Sequence, residues 1–154
     1  MPAPPFDVAP GTIRWTAELG EGEVRTPAVT GGVVYVARGP LDLSEPHEVV
    51  ALDAADGSVG WRWSGLTVER LFLAAVADGA VFVGSEDHNV YRLGAATGTG
   101  DLFFETEGSV DRLAAIADGT LYVSRADRPS TRSIRCRRSR SGSSKSIERR
   151  RCRS

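Results

Sequence analysis

An eleven-residue phrase returns three times in this chain, and its return constrains the fold more than any single residue does. It reads Thr26-Pro-Ala-Val-Thr-Gly-Gly-Val-Val-Tyr-Val36, then Leu73-Ala-Ala-Val-Ala-Asp-Gly-Ala-Val-Phe-Val83, then Leu113-Ala-Ala-Ile-Ala-Asp-Gly-Thr-Leu-Tyr-Val123. The copies align without gaps at offsets of 47 and 40 residues. Self-similarity at such a period marks a solenoid, a propeller or an array.

Each copy holds two apolar runs split by a turn pair: Gly31-Gly32, Asp78-Gly79 and Asp118-Gly119. Asp-Gly and Gly-Gly between apolar runs predict two-residue hairpins, because type I′ turns need positive φ at both central residues. The second arms, Val33–Val36, Val81–Val83 and Leu121–Val123, are β-branched and aromatic, as strands prefer. A third strand is predicted over Glu48–Asp53 and Asn89–Gly94, then a turn, then a fourth strand through Val59–Trp63 and Asp101–Phe104. Four short antiparallel strands in about 40 residues make one blade of a β-propeller. The expected fold is all-β: a partial propeller of about two full four-stranded blades plus partial ones, over residues 1–124.

The segment Ala51-Leu-Asp53-Ala-Ala-Asp-Gly57-Ser-Val-Gly-Trp61 resembles the Ala-x-Asp-x-x-Thr-Gly-x-x-x-Trp blade motif of pyrroloquinoline-quinone (PQQ)-like repeats. Asp7, Gly11 and Trp15 repeat its spacing, with Pro10 in the Thr column. Thr97-Gly98 repeats part of it, but Arg92, Gly94 and Leu102 replace Ala, Asp and Trp. The resemblance covers residues 5–124 and implies that Trp15 and Trp61 dock between adjacent blades. Gly57 and Gly98 then supply turn conformations that a Cβ disfavours. These are structural roles, and none of them is a ligand contact.

The overall charge of −1 hides an asymmetry. Residues 1–124 carry a balance of −11 and no lysine, whereas residues 125–154 carry +10. The Arg/Ser-rich tail, with both cysteines (Cys136 and Cys152), has too few apolar residues to bury a core and is expected to be disordered. One reading makes it a phosphate-binding arm for nucleic acid. The genetic code favours another. A 40-residue period puts the next third strand at 131–134, which holds Thr131, Arg132, Ser133 and Ile134. Shifted by one base, the codons ACN, CGN, TCN and ATH permit Tyr-Ala-Leu-Asp, close to Val50-Ala-Leu-Asp53. The tail therefore reads as frameshift-derived, which weighs against nucleic acid as a partner.

No residue earns a catalytic, cofactor-binding or metal-binding role. There is no nucleophile elbow, phosphate loop or zinc-protease helix. Glu86-Asp87-His88-Asn89 reads as a turn, since Asp and Asn bond their own backbone there. PQQ dehydrogenases use adjacent cysteines and calcium, and no adjacent pair occurs here. No run approaches the ~18 apolar residues of a membrane span. The opening residues, Met1–Asp7, lack the basic and apolar stretches of a secretory signal.

The resemblance thus implies a noncatalytic scaffold binding proteins or ligands, as in outer-membrane assembly lipoproteins. A quinoprotein dehydrogenase fragment is the alternative. Contact loops are expected at residues 38–47, where the repeat gains six residues, and at 65–70 between blades. Fewer than three blades leave open edges, so self-association is also expected. Sequencing the coding DNA tests the tail. The shifted frame after about residue 124 is expected to continue the repeat; a frame that does not continue it makes the basic tail authentic.

Overall fold

The computed structural model describes residues 11–25, 27–42, 44–64, 70–106, 110–117, 120–125 and 136–137. Its elements are β1 (Glu23–Val24), β2 (Ala28–Thr30), β3 (Val33–Gly39), β4 (Glu48–Asp53), β5 (Val59–Ser64), β6 (Leu71–Ala77), β7 (Ala80–Ser85), β8 (Asn89–Gly94), β9 (Gly100–Glu105), β10 (Val110–Ala117), β11 (Thr120–Arg125) and β12 (Cys136–Arg137). They form three antiparallel sheets in chain order: β1 to β5, β6 to β9 and β10 to β12. These are two complete blades and part of a third, as the repeat predicts.

The hairpins follow from turn chemistry. Gly31 and Gly32 hold φ of 58° and 77°, and Asp78 and Gly79 hold 50° and 70°. Both turns therefore have the positive φ at two central residues that a right-twisted hairpin needs. Asp118-Gly119 lies outside the described residues.

The innermost strand shows how one residue column shapes three blades. In β6 the pairing with β7 slips between Leu73 and Ala75, and in β10 it slips between Leu113 and Ala115. The matching column in the first blade holds Pro27, which has no N–H to give a ladder. There the strand breaks outright into β1 and β2, both of which still pair with β3. A bulge column tolerates proline because its residue is already unpaired.

Blades 1 and 2 bury a shared core. Tyr35, Ala37, Val49 and Ala51 of the first pack against Leu71, Val81, Val83, Tyr91 and Leu93 of the second, with Trp61 and Trp63 at its margin. The other face of blade 1 (Val36, Val50, Leu52) receives Trp15, Ala17 and Leu19 from the incoming segment. Alternate residues of one strand thus serve opposite blade faces, which is why these runs are apolar throughout. Arg25 caps the joint at its inner edge, 4.7 Å above the Phe72 ring.

The indoles lock the joints. Trp15 Nε1 donates to Ala54 O and Trp61 Nε1 to Ala95 O, each at 2.9 Å. A Cβ on Gly57 or Gly98 would lie 2.5 Å from the Trp15 or Trp61 ring, so each glycine is the floor of an indole socket. The column fails at Leu102. In β5 the register slips at Gly60 and sets Trp61 opposite Ala51; in β9 it slips later and sets Leu102 opposite Tyr91. Leu102 consequently takes the other face and stays 48% exposed.

The tail expectation meets one observation. Cys136 and Arg137 pair with Leu121 and Thr120 as a third strand. Ala80 pairs with Gly94, so an unbroken period would pair Thr120 with residue 134; the observed partner is Arg137, three residues later. The rest of 126–154 lies outside the described residues.

Gly79 and Gly98 share φ +70°, but only Gly98 has a neighbour, Trp61, in the way of a Cβ. Both Gly→Ala changes cost the left-handed penalty. Gly98→Ala is expected to cost about 1–3 kcal/mol more, from overpacking against the indole. Urea unfolding of the two variants measures the difference.

Candidate interaction surface

One end of blade 1 gathers the segments that the sequence marks as contact loops. The pairs Glu23↔Gly39, Arg38↔Glu48 and Glu48↔Ser64 bring the chain entry, the 38–47 loop and the blade exit to the same sheet end. Residues 65–69 of the inter-blade loop lie outside the described residues. Arg70, its last residue, sits 3.8 Å from Glu86.

A charged clamp anchors the long loop. Glu48 Oε1 accepts from Arg38 Nη1 at 2.6 Å and from Arg62 Nη1 at 2.7 Å. Arg38 Nη2 also donates to Glu21 O at 2.6 Å, which ties the entering chain to β3. The Arg38 and Glu48 side chains are each 15% exposed. Charge-assisted bonds in such a half-buried place hold geometry better than surface pairs do.

His47, one residue before β4, is buried against Gly39, where a Cβ would collide with its ring. His47 therefore pins the C-terminal root of the loop. Between its roots the loop is open: Asp42, Ser44, Glu45 and Pro46 are exposed, and Leu41 is 67% exposed. Asp42 Oδ1 accepts from Ser44 N at 3.1 Å, and hydrogen bonding by the Ser44 side chain, and then by its backbone, lowers the Asp42 pKa. The loop is a fixed base with a mixed acidic and apolar tip.

A family profile described as "Outer membrane protein assembly factor BamB" matches residues 5–101 and again 45–140. The chain belongs to the PQQ-like repeat family. No curated protein sequence matches it. Among solved structures, the computationally designed Ika8 protein aligns at TM-score 0.56 and 17% identity, over 74% of this chain and 34% of that one. The designed Ika4 protein aligns at 0.54 and 17%, over 75% of this chain and 73% of that one. BamB from Moraxella catarrhalis aligns at 0.46 and 18%, over 65% and 39%. The chain thus spans about a third of the Ika8 chain. The two designed proteins share its fold.

The PQQ-like blade motif accounts for Trp15, Trp61, Gly57 and Gly98 as joint residues, as described above. Its Asp column is also structural. Asp53 Oδ1 accepts from Ala55 N at 2.7 Å, and Gly57 N donates to Asp53 O at 2.8 Å. In the next blade Gly94 has no side chain to do this, and the Thr97 and Thr99 hydroxyls bond each other at 2.8 Å instead.

The Glu86–Asn89 segment is a tight turn. His88 takes φ of 70°, and Asp87 Oδ1 accepts from Asn89 N at 3.0 Å. Among the described residues, no group of three or more His, Cys, Asp or Glu side chains is placed to hold a metal. Nor is any helix there long and apolar enough to cross a membrane. Sequence reasoning missed one member of this turn. Tyr91 OH donates to Asp87 Oδ2 at 2.6 Å and packs 5.3 Å from Trp63, so the turn is tied to the blade joint.

Burial, and then the bond to Asp87, push the Tyr91 phenol from 10.0 up to about 12. Below pH 10 it is neutral folded or unfolded. Between 10 and about 12 the unfolded chain releases the proton and the folded one keeps it, so stability falls as pH rises. Tyr91→Phe is expected to make this alkaline fall shallower. Burial also raises Tyr35, so part of the slope remains. Denaturant midpoints across that window check it.

Proposed function

We propose that this chain is a noncatalytic propeller scaffold that presents its 38–47 loop to a protein partner. The observation that carries the reading is the contrast between the roots and the tip of that loop. Arg38, Glu48, Arg62 and buried His47 fix its base, while Leu41 stands 67% exposed beside Asp42 and Glu45. A pre-organised loop loses little conformational entropy on binding. An exposed apolar residue in an acidic loop suits a partner with an apolar pocket and a basic rim. The matching family profile is that of an assembly factor, which supports a scaffold role.

A photo-crosslinking residue at Leu41 tests the reading in cells. Protein adducts are expected there and not from Gly32, at the opposite end of the same sheet. Deleting residues 40–45 is expected to weaken binding of the captured protein by at least roughly tenfold, the scale of one anchor residue. Unchanged affinity overturns the proposal. PQQ-dependent dye reduction by the full-length gene product with added calcium would instead favour the dehydrogenase alternative.

A further inference from the structure

Two Asp-Gly pairs among the described residues sit in turns of opposite character. Asp78-Gly79 is the hairpin turn between β6 and β7, and Asp56-Gly57 lies in the turn between β4 and β5. Asp-Gly is the dipeptide at which an aspartyl residue rearranges most easily, because glycine has no Cβ to shield its nitrogen. That nitrogen, on giving its proton to water, attacks the side-chain carboxyl carbon. A C–N bond forms, one water leaves, and a succinimide ring results. Water then adds back. Opening at the side-chain carbonyl restores aspartate. Opening at the main-chain carbonyl leaves isoaspartate, with the chain routed through the side-chain carbon. The net composition is unchanged, and water is the only co-reactant.

The fold blocks each part of this reaction at Asp56. Gly57 N donates to Asp53 O at 2.8 Å, so the nucleophile is engaged. Asp56 Oδ1 accepts from Ser58 N at 2.9 Å, which draws the carboxyl toward residue 58. Hydrogen bonding by the Ser58 side chain, and then by its backbone, also lowers the Asp56 pKa. The ionised carboxylate it favours is the less reactive form. Gly57 is buried under the Trp15 ring, where a Cβ would come to 2.5 Å, so its peptide has no room to swing into a ring.

Asp78 lies under none of these restraints. Asp78 and Gly79 are both exposed. Nothing stands within 4 Å of a Cβ placed on Gly79. Neither the Asp78 carboxyl nor Gly79 N has a hydrogen-bond partner among the described residues. We propose that Asp78 is a modification site, at which the folded chain forms isoaspartate, and that the change loosens the joint between blades 1 and 2.

The position of the turn supplies that second part. Gly79 O accepts from Ala95 N at 2.9 Å. Ala95 O in turn accepts from Trp61 Nε1 at 2.9 Å and from Tyr35 OH at 3.3 Å. Isoaspartate adds one atom to the main chain of a two-residue turn. Gly79 O then loses its place while β6 and β7 keep their register, and the relay to the Trp61 indole starts from a displaced carbonyl. Blade 1 has the same relay, from Gly32 O to Ala54 N and from Ala54 O to Trp15. Its turn is Gly31-Gly32, which has no carboxyl to react. This inference stands apart from the loop reading, since the turn and the loop are different surfaces.

Prolonged incubation of the full chain at neutral pH, folded and in guanidinium, tests the proposal. Trypsin separates residues 71–92 from residues 39–62, and electron-transfer fragmentation then distinguishes isoaspartate from aspartate at each site. In the folded chain, isoaspartate at Asp78 is expected to exceed that at Asp56 by at least roughly tenfold, the scale of freeing two hydrogen bonds. In guanidinium the two sites should react alike. Asp78→Asn, which reaches the same ring with ammonia as leaving group, should gain isoaspartate faster. Asp78→Gly copies the blade 1 turn and suits the φ of 50°. Its urea midpoint is expected to fall less on incubation than that of the wild type. Equal yields at the two sites in the folded chain overturn the proposal. So does a folded Asp78 that stays intact while the unfolded chain reacts, or an equal fall in the two midpoints.

Discussion

The joint between blades depends on an indole seated on a bare glycine. Trp61 reaches from the outer strand of one blade to the turn between the third and fourth strands of the next, where Gly98 leaves room for its ring and Ala95 O accepts its N–H. Trp15 does the same on Gly57 and Ala54. The donor is satisfied while the ring removes apolar area from water, so the contact is both directional and hydrophobic. Neighbouring contacts build on it. Tyr35 leans on Trp61 at 5.8 Å and donates to the same Ala95 O at 3.3 Å. Where the column changes to Leu102, the bulge in the outer strand moves and the side chain turns to the other face.

A second tier of contacts fixes the ends of the sheets. The Arg38–Glu48–Arg62 cluster joins three strands of blade 1, and the Arg38 bond to Glu21 O adds the entering chain. Asp87, Asn89 and Tyr91 join the turn of blade 2 to its joint with blade 1. The loops at this end are therefore mounted on a charged and hydrogen-bonded base, and the apolar core lies beneath it. The 38–47 loop differs from its counterpart in length and not in the quality of its mounting.

Much of the architecture was legible in the residues. The bounds of Glu48–Asp53 and Asn89–Gly94 are strand bounds in the structure. The Gly31-Gly32 and Asp78-Gly79 pairs are the hairpin turns. These features are local, and turn chemistry with strand periodicity is enough to place them. Long-range bonds were not legible. Nothing in the spacing of Arg38, Glu48 and Arg62 distinguishes a clamp from three solvated charges. The Asp87–Tyr91 bond likewise depends on the strand's register beside its turn. The break at Pro27 has a sequence signal, but the shared bulge at Ala74 and Ala114 gives it meaning.

By itself the sequence determined the blade: its period, its four strands, its turns, and the Trp and Gly columns that build a joint. Those depend on backbone preferences and apolar alternation, which act over a few residues. Only the tertiary structure decided which faces are covered and which are bare. Val24 and Leu71 occupy the same column with the same apolar character, yet one is half exposed and the other is sealed. Burial is a property of what packs on a residue, and a column shared by two blades does not by itself fix what packs there.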